Sequence, residues 1–221
     1  HLRTHRSDFY RRTADDTEQR LGEEYDVAQA ADLGKIDTFR FEEDRVLDAA
    51  LAAIENGDWA PALDWAEART GDRSFWLRKK EERRATWQLI GQAARLGTCI
   101  KQAGPSLGKV ESLEAAVTRY VAAGAAVDQA HRHLEQRREA LLYSQVARFE
   151  RLRPALDLMR SRWRTWADAW ASEFSGLCRR DGFLPPVELQ QRTLFDDVVK
   201  PLVNDHEITV LFLVDALRYE L

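Results

Sequence analysis

Asp215 is the residue best placed for chemistry. It closes the run Ile208-Thr209-Val210-Leu211-Phe212-Leu213-Val214, seven residues rich in β-branched and aromatic types. A nearly continuous apolar run of this length reads as a strand of a parallel sheet covered on both faces. Ligands of open α/β sheets bind at the carboxyl ends of strands, where an acid can hold a metal ion or a phosphate-bound cation. An Asp in that place can equally cap a helix starting at Ala216, and spacing alone leaves both roles open.

The other candidates are weaker by geometry. His131 and His133 flank Arg132, and residues two apart on a helix point about 200° from each other, so the two imidazoles do not converge on one ion. Asp128 and Arg132 have the four-residue spacing of an acid–base pair on a helix surface, worth a few tenths of a kcal/mol. Trp163, Trp166 and Trp170 have the chemistry of base-stacking platforms, but they share a stripe with Met159 and Phe174 and read first as core. Residues 131–164 hold nine Arg against four acids, and Arg160, Arg162 and Arg164 are the candidates there for following nucleic-acid phosphates. A solvated face, or a dock for the acidic residues 1–57, accounts for the same charge. Arg outnumbers Lys 27 to 6 throughout, which weakens any reading from Arg abundance. Cys99 and Cys178 make no disulfide scaffold and have no zinc-type Cys/His spacing. No GxGxxG, GxxxxGK(S/T), GxSxG, HExxH or EF-hand pattern occurs, so no complete catalytic constellation lies in these residues.

The elements that must position these residues are helical. Phe41 to Asn56 carries Val46, Leu47, Ala50, Leu51 and Ile54 on one face, with an acidic first turn and Gly57 as the expected C-terminal cap. A short helix is expected over Pro61–Arg69. Another, capped by Ser74, is expected to run to Leu96 and stop before Gly97. Ala103-Gly104-Pro105-Ser106-Leu107-Gly108 breaks the pattern and is the best internal boundary. From Ser112 a seam runs through Leu113, Val117, Tyr120, Gly124, Val127, His131, Leu134, Arg138 and Leu141, then shifts register through Val146 and Phe149. A helix of about 40 residues would extend roughly 60 Å. Pro154 breaks or restarts it, and Leu156 to Leu177 forms the second arm of a helical hairpin. After Gly182 to Pro186, Thr193 is placed to cap an amphipathic helix with Leu194, Phe195, Val198, Val199 and Leu202 on its apolar side. Asn204 to Glu207 is a polar turn before the strand.

Composition agrees with this. The chain has 221 residues, a net charge of −4, 44% apolar and 32% charged residues, with only 11 Gly and 6 Pro. That is too apolar for a disordered chain and too poor in turn residues for an all-β one. The longest purely apolar run falls far short of the ~20 residues that span a bilayer, and no signal-peptide pattern follows the opening HLRTHRSDFYRR, so the reading is a cytoplasmic protein with no membrane association. The start without Met and the stop directly after an apolar run read as a piece of a longer protein.

Residues 110–221 resemble a known family. ITVLFLVDALRYEL (Ile208–Leu221) is similar to the entry strand of the PglZ proteins of bacterial BREX phage-defence systems, where an apolar strand runs into Asp-(Ala/Gly)-Leu-Arg-Tyr. Val127-Asp128 followed by His131-Arg132 resembles the family's V-D-x-x-Y-R helix, with His131 where Tyr is usual. The Trp-rich segment and QRTLFDDVVKPL (Gln191–Leu202) resemble the approach to the strand. The resemblance implies a metal-dependent phosphatase or phosphodiesterase of the alkaline phosphatase superfamily. Asp215 matches its first metal-binding acid, one ligand of a divalent, zinc-type site. It also implies other BREX subunits as partners, and a nucleophile downstream of this chain.

The expected fold is mainly α: an elongated helical domain with a long hairpin, followed by the first strand of an α/β, alkaline-phosphatase-like domain. Residues 1–105 form an N-terminal helical region, 106–190 the hairpin, and 191–221 the start of the phosphatase domain. By itself the chain is expected to be an inactive scaffold. The rival expectation is a non-enzymatic helical module that binds DNA or defence-complex proteins.

Overall fold

The structure, a computed structural model, describes residues 2–21, 33, 38–70, 74–77, 80–139, 146, 148–184, 186–187, 190–205 and 208–210. The protein is mainly helical, and no strand occurs among the described residues. The elements are α1 (Leu2–His5), α2 (Ser7–Leu21), α3 (Arg40–Asn56), α4 (Trp59–Thr70), α5 (Glu81–Ala103), α6 (Leu113–Arg119), a π-helical turn (Tyr120–Gly124), α7 (Ala125–Glu139), α8 (Phe149–Asp181), a 3₁₀ turn (Gln191–Thr193), a second π-helical turn (Phe195–Val199) and α9 (Lys200–Asp205). Among the described residues no helix is long and apolar enough to cross a membrane. The chain gathers into two compact units, each built from two stretches of sequence: His1–Thr98 with Ala130–Arg162, and Cys99–Gln129 with Trp163–Leu221.

In the first unit, α3 forms where the apolar stripe is expected. Glu42 accepts hydrogen bonds from the backbone N–H groups of Thr38 (2.7 Å) and Phe39 (3.0 Å), which satisfies donors at the helix start. Gly57 ends the helix with φ 84° and donates to Ala53 and Ile54, a left-handed cap that costs glycine no Cβ clash. Val46, Leu47, Ala50, Leu51 and Ile54 are buried, as their spacing requires, together with Trp87, Leu89, Ile90, Leu134, Leu152 and Met159. A smaller cluster joins Ala14, Phe75 and Trp76 to Tyr10 and Phe39.

Four sequence expectations fail in this unit. Ser74 does not cap a helix: residues 75–77 form a turn, which buries Phe75, Trp76 and Leu77, and α5 begins only at Glu81. Nor does Gly97 end α5, which continues to Ala103. A Cβ on Gly97 would lie 2.4 Å from the Trp59 ring, so the glycine marks close packing. The helix stops at Gly104, whose φ is 82°. Further along, the seam does not pass unbroken into Phe149, because Arg148 takes a left-handed φ of 57° just before α8. Pro154 lies inside α8 and does not break it. It sits in the second turn and removes only the hydrogen bond to Glu150, whose exposed position lets water reach the freed carbonyl. Here α7 and α8 are joined by Arg160 Nε donating to Glu135 at 2.9 Å.

The second unit is organised by α8. Ser112 caps α6 by accepting from the Ala115 N–H at 3.1 Å. The breaker segment 104–112 is pinned to α8: the Gly104 carbonyl accepts from the indoles of Trp166 (3.0 Å) and Trp170 (3.4 Å), and Gly108 N–H donates to Glu173 at 3.2 Å. Arg180 donates to the Glu111 carbonyl, and Trp163 reaches Asp128. Higher numbers on α8 therefore meet lower numbers on the preceding helices, an antiparallel pairing. Thr193 is not the cap expected of it, since its hydroxyl donates back to the Gln190 carbonyl at 2.9 Å. The following turns bury Val199 but leave Leu194, Phe195, Val198 and Leu202 exposed. Ile208 to Val210 are exposed and take no regular conformation, and the rest of the expected strand lies outside the described residues.

Candidate functional site

Asp128 is the centre of the best-formed site. It stands in the first turn of α7, one turn after the π-helical turn Tyr120–Gly124. In an unbroken α-helix, residues eight apart point about 80° from each other, whereas residues seven apart differ by only about 20°. The wider π turn takes up one extra residue, so Tyr120 and Asp128 share a face despite their spacing. Gly124 opens the path between them. A Cβ there would lie 2.6 Å from the Tyr120 ring and 3.0 Å from that of Trp170. The Tyr120 ring therefore passes over the glycine, and its hydroxyl donates to Asp128 Oδ2 at 2.8 Å. Trp163 Nε1 donates to Oδ1 at 3.2 Å. Both donors are neutral, and a carboxylate has acceptor capacity beyond two hydrogen bonds.

A groove of about 340 Å³ opens beside this cluster, lined by Leu107, Ala116, Val117, Tyr120, Asp128, Trp166, Ala167, Trp170, Ala171 and Phe174. Leu107, Ala116, Trp166 and Trp170 are buried and make its floor, while Val117 and Phe174 are exposed at its rim. The two indoles lie 4.8 Å apart, tilted by 39°. Asp128 is the one charged residue of the lining. Aromatic walls, apolar floor and a single fixed carboxylate give the groove the chemistry of a small-molecule site.

A second cluster is buried in the first unit. Glu43 and Arg69, whose side chains are 3% and 5% exposed, pair at 3.0 Å. Trp87 donates its indole N–H to the other Glu43 oxygen, and the Arg69 guanidinium lies 5.2 Å over the Trp87 ring. Burial pushes the Glu43 carboxyl above the ordinary glutamate range; the charge of Arg69 and the hydrogen bonds from Trp87 and Arg69 offset part of that rise. Enclosure of the cluster makes it a structural tie between helices. The sequence contained its signal, because Glu43 stands three and four residues before Val46 and Leu47, on the apolar stripe, where a lone surface acid does not belong.

The residues singled out from sequence fare differently. Asp215 lies outside the described residues. Arg160 pairs with Glu135, Arg162 lies 5.0 Å over the Trp59 ring, and Arg164 is exposed. His131 lies 3.8 Å from Glu135. Among the described residues no group of three or more His, Cys, Asp or Glu is arranged to hold a metal ion. Trp166 and Trp170 are core residues by burial, and Cys99 and Cys178 are not disulfide-bonded. Sequence reasoning gave Asp128 a surface pairing with Arg132 and a place in the V-D-x-x-H-R resemblance, and did not anticipate its contacts with Tyr120 and Trp163. Compared with known proteins, the chain matches no protein-family model, no curated protein and no solved structure.

Proposed function

We propose that this chain is the helical scaffold of a PglZ-type antiphage-defence protein whose complete form is a metal-dependent phosphatase or phosphodiesterase. The observation that carries the reading is the meeting at Asp128 of two stretches of the resemblance. The V-D-x-x-H-R segment supplies Asp128, and the Trp-rich segment supplies the Trp163 that hydrogen-bonds it. A motif residue held by a second motif segment is what a shared scaffold requires. In this reading Asp215 holds one of two zinc-type ions, which would polarise the phosphoryl oxygens and activate a nucleophile. A zinc site takes three or four protein ligands, so the single acid matched here forms part of a set completed by the rest of the phosphatase domain. The 221 residues serve that domain and the other defence subunits as a support.

Hydrolysis of bis(p-nitrophenyl) phosphate with added zinc tests this on the complete protein, its Asp215→Ala variant and the present chain. The complete protein is expected to turn over, the variant to lose at least about a hundredfold, and the chain alone to be inactive. Full activity of Asp215→Ala, or an inactive complete protein, would overturn the assignment.

A further inference from the structure

We propose that the groove around Asp128 binds a small organic cation, an ammonium group carried on an apolar or aromatic body. The inference does not need the phosphatase reading to be right: it uses the groove and the contacts of Asp128, and no metal site or resemblance enters it. The volume of about 340 Å³ lies at the lower end of the range for small-molecule sites, ~300–1,000 Å³, and suits a body of about one ring with its head group. Apart from Asp128, the lining is made of hydrocarbon and aromatic side chains.

The sign of the ligand's charge follows from Asp128. The donors to its carboxylate are the neutral Tyr120 hydroxyl and Trp163 indole, so neither cancels its charge. A neutral ligand seated against it would strip water from an anion and return nothing, and an anion would be repelled. A cation restores the lost interaction, and the faces of Tyr120, Trp166, Trp170 and Phe174 add attraction through their ring quadrupoles. The site is also built in advance. The π turn, the absent Cβ of Gly124 and the two donors fix the carboxylate before any ligand arrives. The Gly104 carbonyl holds both floor indoles in the same way.

The test is calorimetric titration of the 221-residue chain with benzyltrimethylammonium, its uncharged isostere neopentylbenzene, and the anion benzylsulfonate. The cation is expected to bind saturably, with the other two at least about tenfold weaker. Asp128→Asn should bring the cation down to the level of the neutral isostere. Ala171→Trp, at an exposed position of α8 that lines the groove, should abolish binding while leaving the unfolding midpoint unchanged. Should Asp128→Asn fail to fold, the three ligand charges on the unmodified chain together with Ala171→Trp still decide. Equal or tighter binding of the isostere or the anion would overturn the proposal, as would cation binding untouched by Ala171→Trp, or no saturable binding at ~10 mM ligand.

Discussion

Glycine has three different meanings along this chain, and only two could be read from sequence. Gly57, placed after an apolar stripe, reads as a cap and is one. Gly104, in a Gly-Pro segment, reads as a break and is one. Gly97 reads as a helix end, yet it lies inside α5 because the Trp59 ring occupies the place of its Cβ. That contact joins residues 38 apart in sequence, so no local pattern announces it. Gly97→Ala is expected to cost about 1–3 kcal/mol through overpacking, seen as a lower thermal midpoint with the helical circular dichroism retained at low temperature. Gly176→Ala should do the opposite. Its Cβ would meet only the tip of Arg179 at 3.9 Å, so replacing an interior helical glycine stabilises by roughly 0.5–1 kcal/mol. An unchanged midpoint for both variants would contradict the packing assigned to Gly97.

At the scale of elements, the periodic stripes placed α3, α4, α7 and the body of α8, because helical spacing is a local property, but they put the break at Pro154 rather than before Phe149. Interruptions were harder to place. Pro154 is tolerated in the second turn of α8, while the left-handed residue is Arg148, a type with no preference for that conformation. The π turn at Tyr120 was equally silent, and so was the close passage of the Tyr120 ring over Gly124 that accompanies it. The Glu43–Arg69 pair allows two predictions about how α3 and α4 are tied. Arg69→Met should cost about 3–5 kcal/mol, because it leaves a buried carboxylate without its cation. Adding Glu43→Gln should recover at least half of that loss, since the amide oxygen still accepts from Trp87. The pH dependence has a definite sign. Glu43 binds its proton more tightly in the folded protein than in the unfolded chain, where 4.5 is the ordinary value. As pH falls from neutrality through the raised value, the folded state takes up the proton first and gains stability from this group. Denaturant titrations should therefore show the native protein gaining on Glu43→Gln as pH falls toward 4.5. A gap that widens against the native protein in that direction would refute the burial effect.

For the whole molecule, the helical class was legible from composition and spacing, while the candidate groove was not. Its lining residues are scattered from Leu107 to Phe174, and only folding brings them together. The segment from Phe183 to Val210 presents the opposite case, a set of apolar residues that the described structure leaves outside the core. Phe183, Phe195 and Ile208 are 81%, 59% and 83% exposed. Phe183→Ser with Phe195→Ser is expected to change stability by less than about 0.5 kcal/mol while reducing the binding of an apolar dye. A large loss of stability would mean that these rings are packed.

The shared carbonyl of Gly104 has an optical consequence. It fixes two indoles in van der Waals range at a set tilt, close enough for their electronic transitions to couple as an exciton pair. The resulting ellipticity belongs to Trp166 and Trp170 and vanishes when either is replaced by Phe. Trp59 and Trp87 sit in the other unit. One spectrum thus contains a native chromophore that reports on the second unit alone, so its melting can be followed without any label.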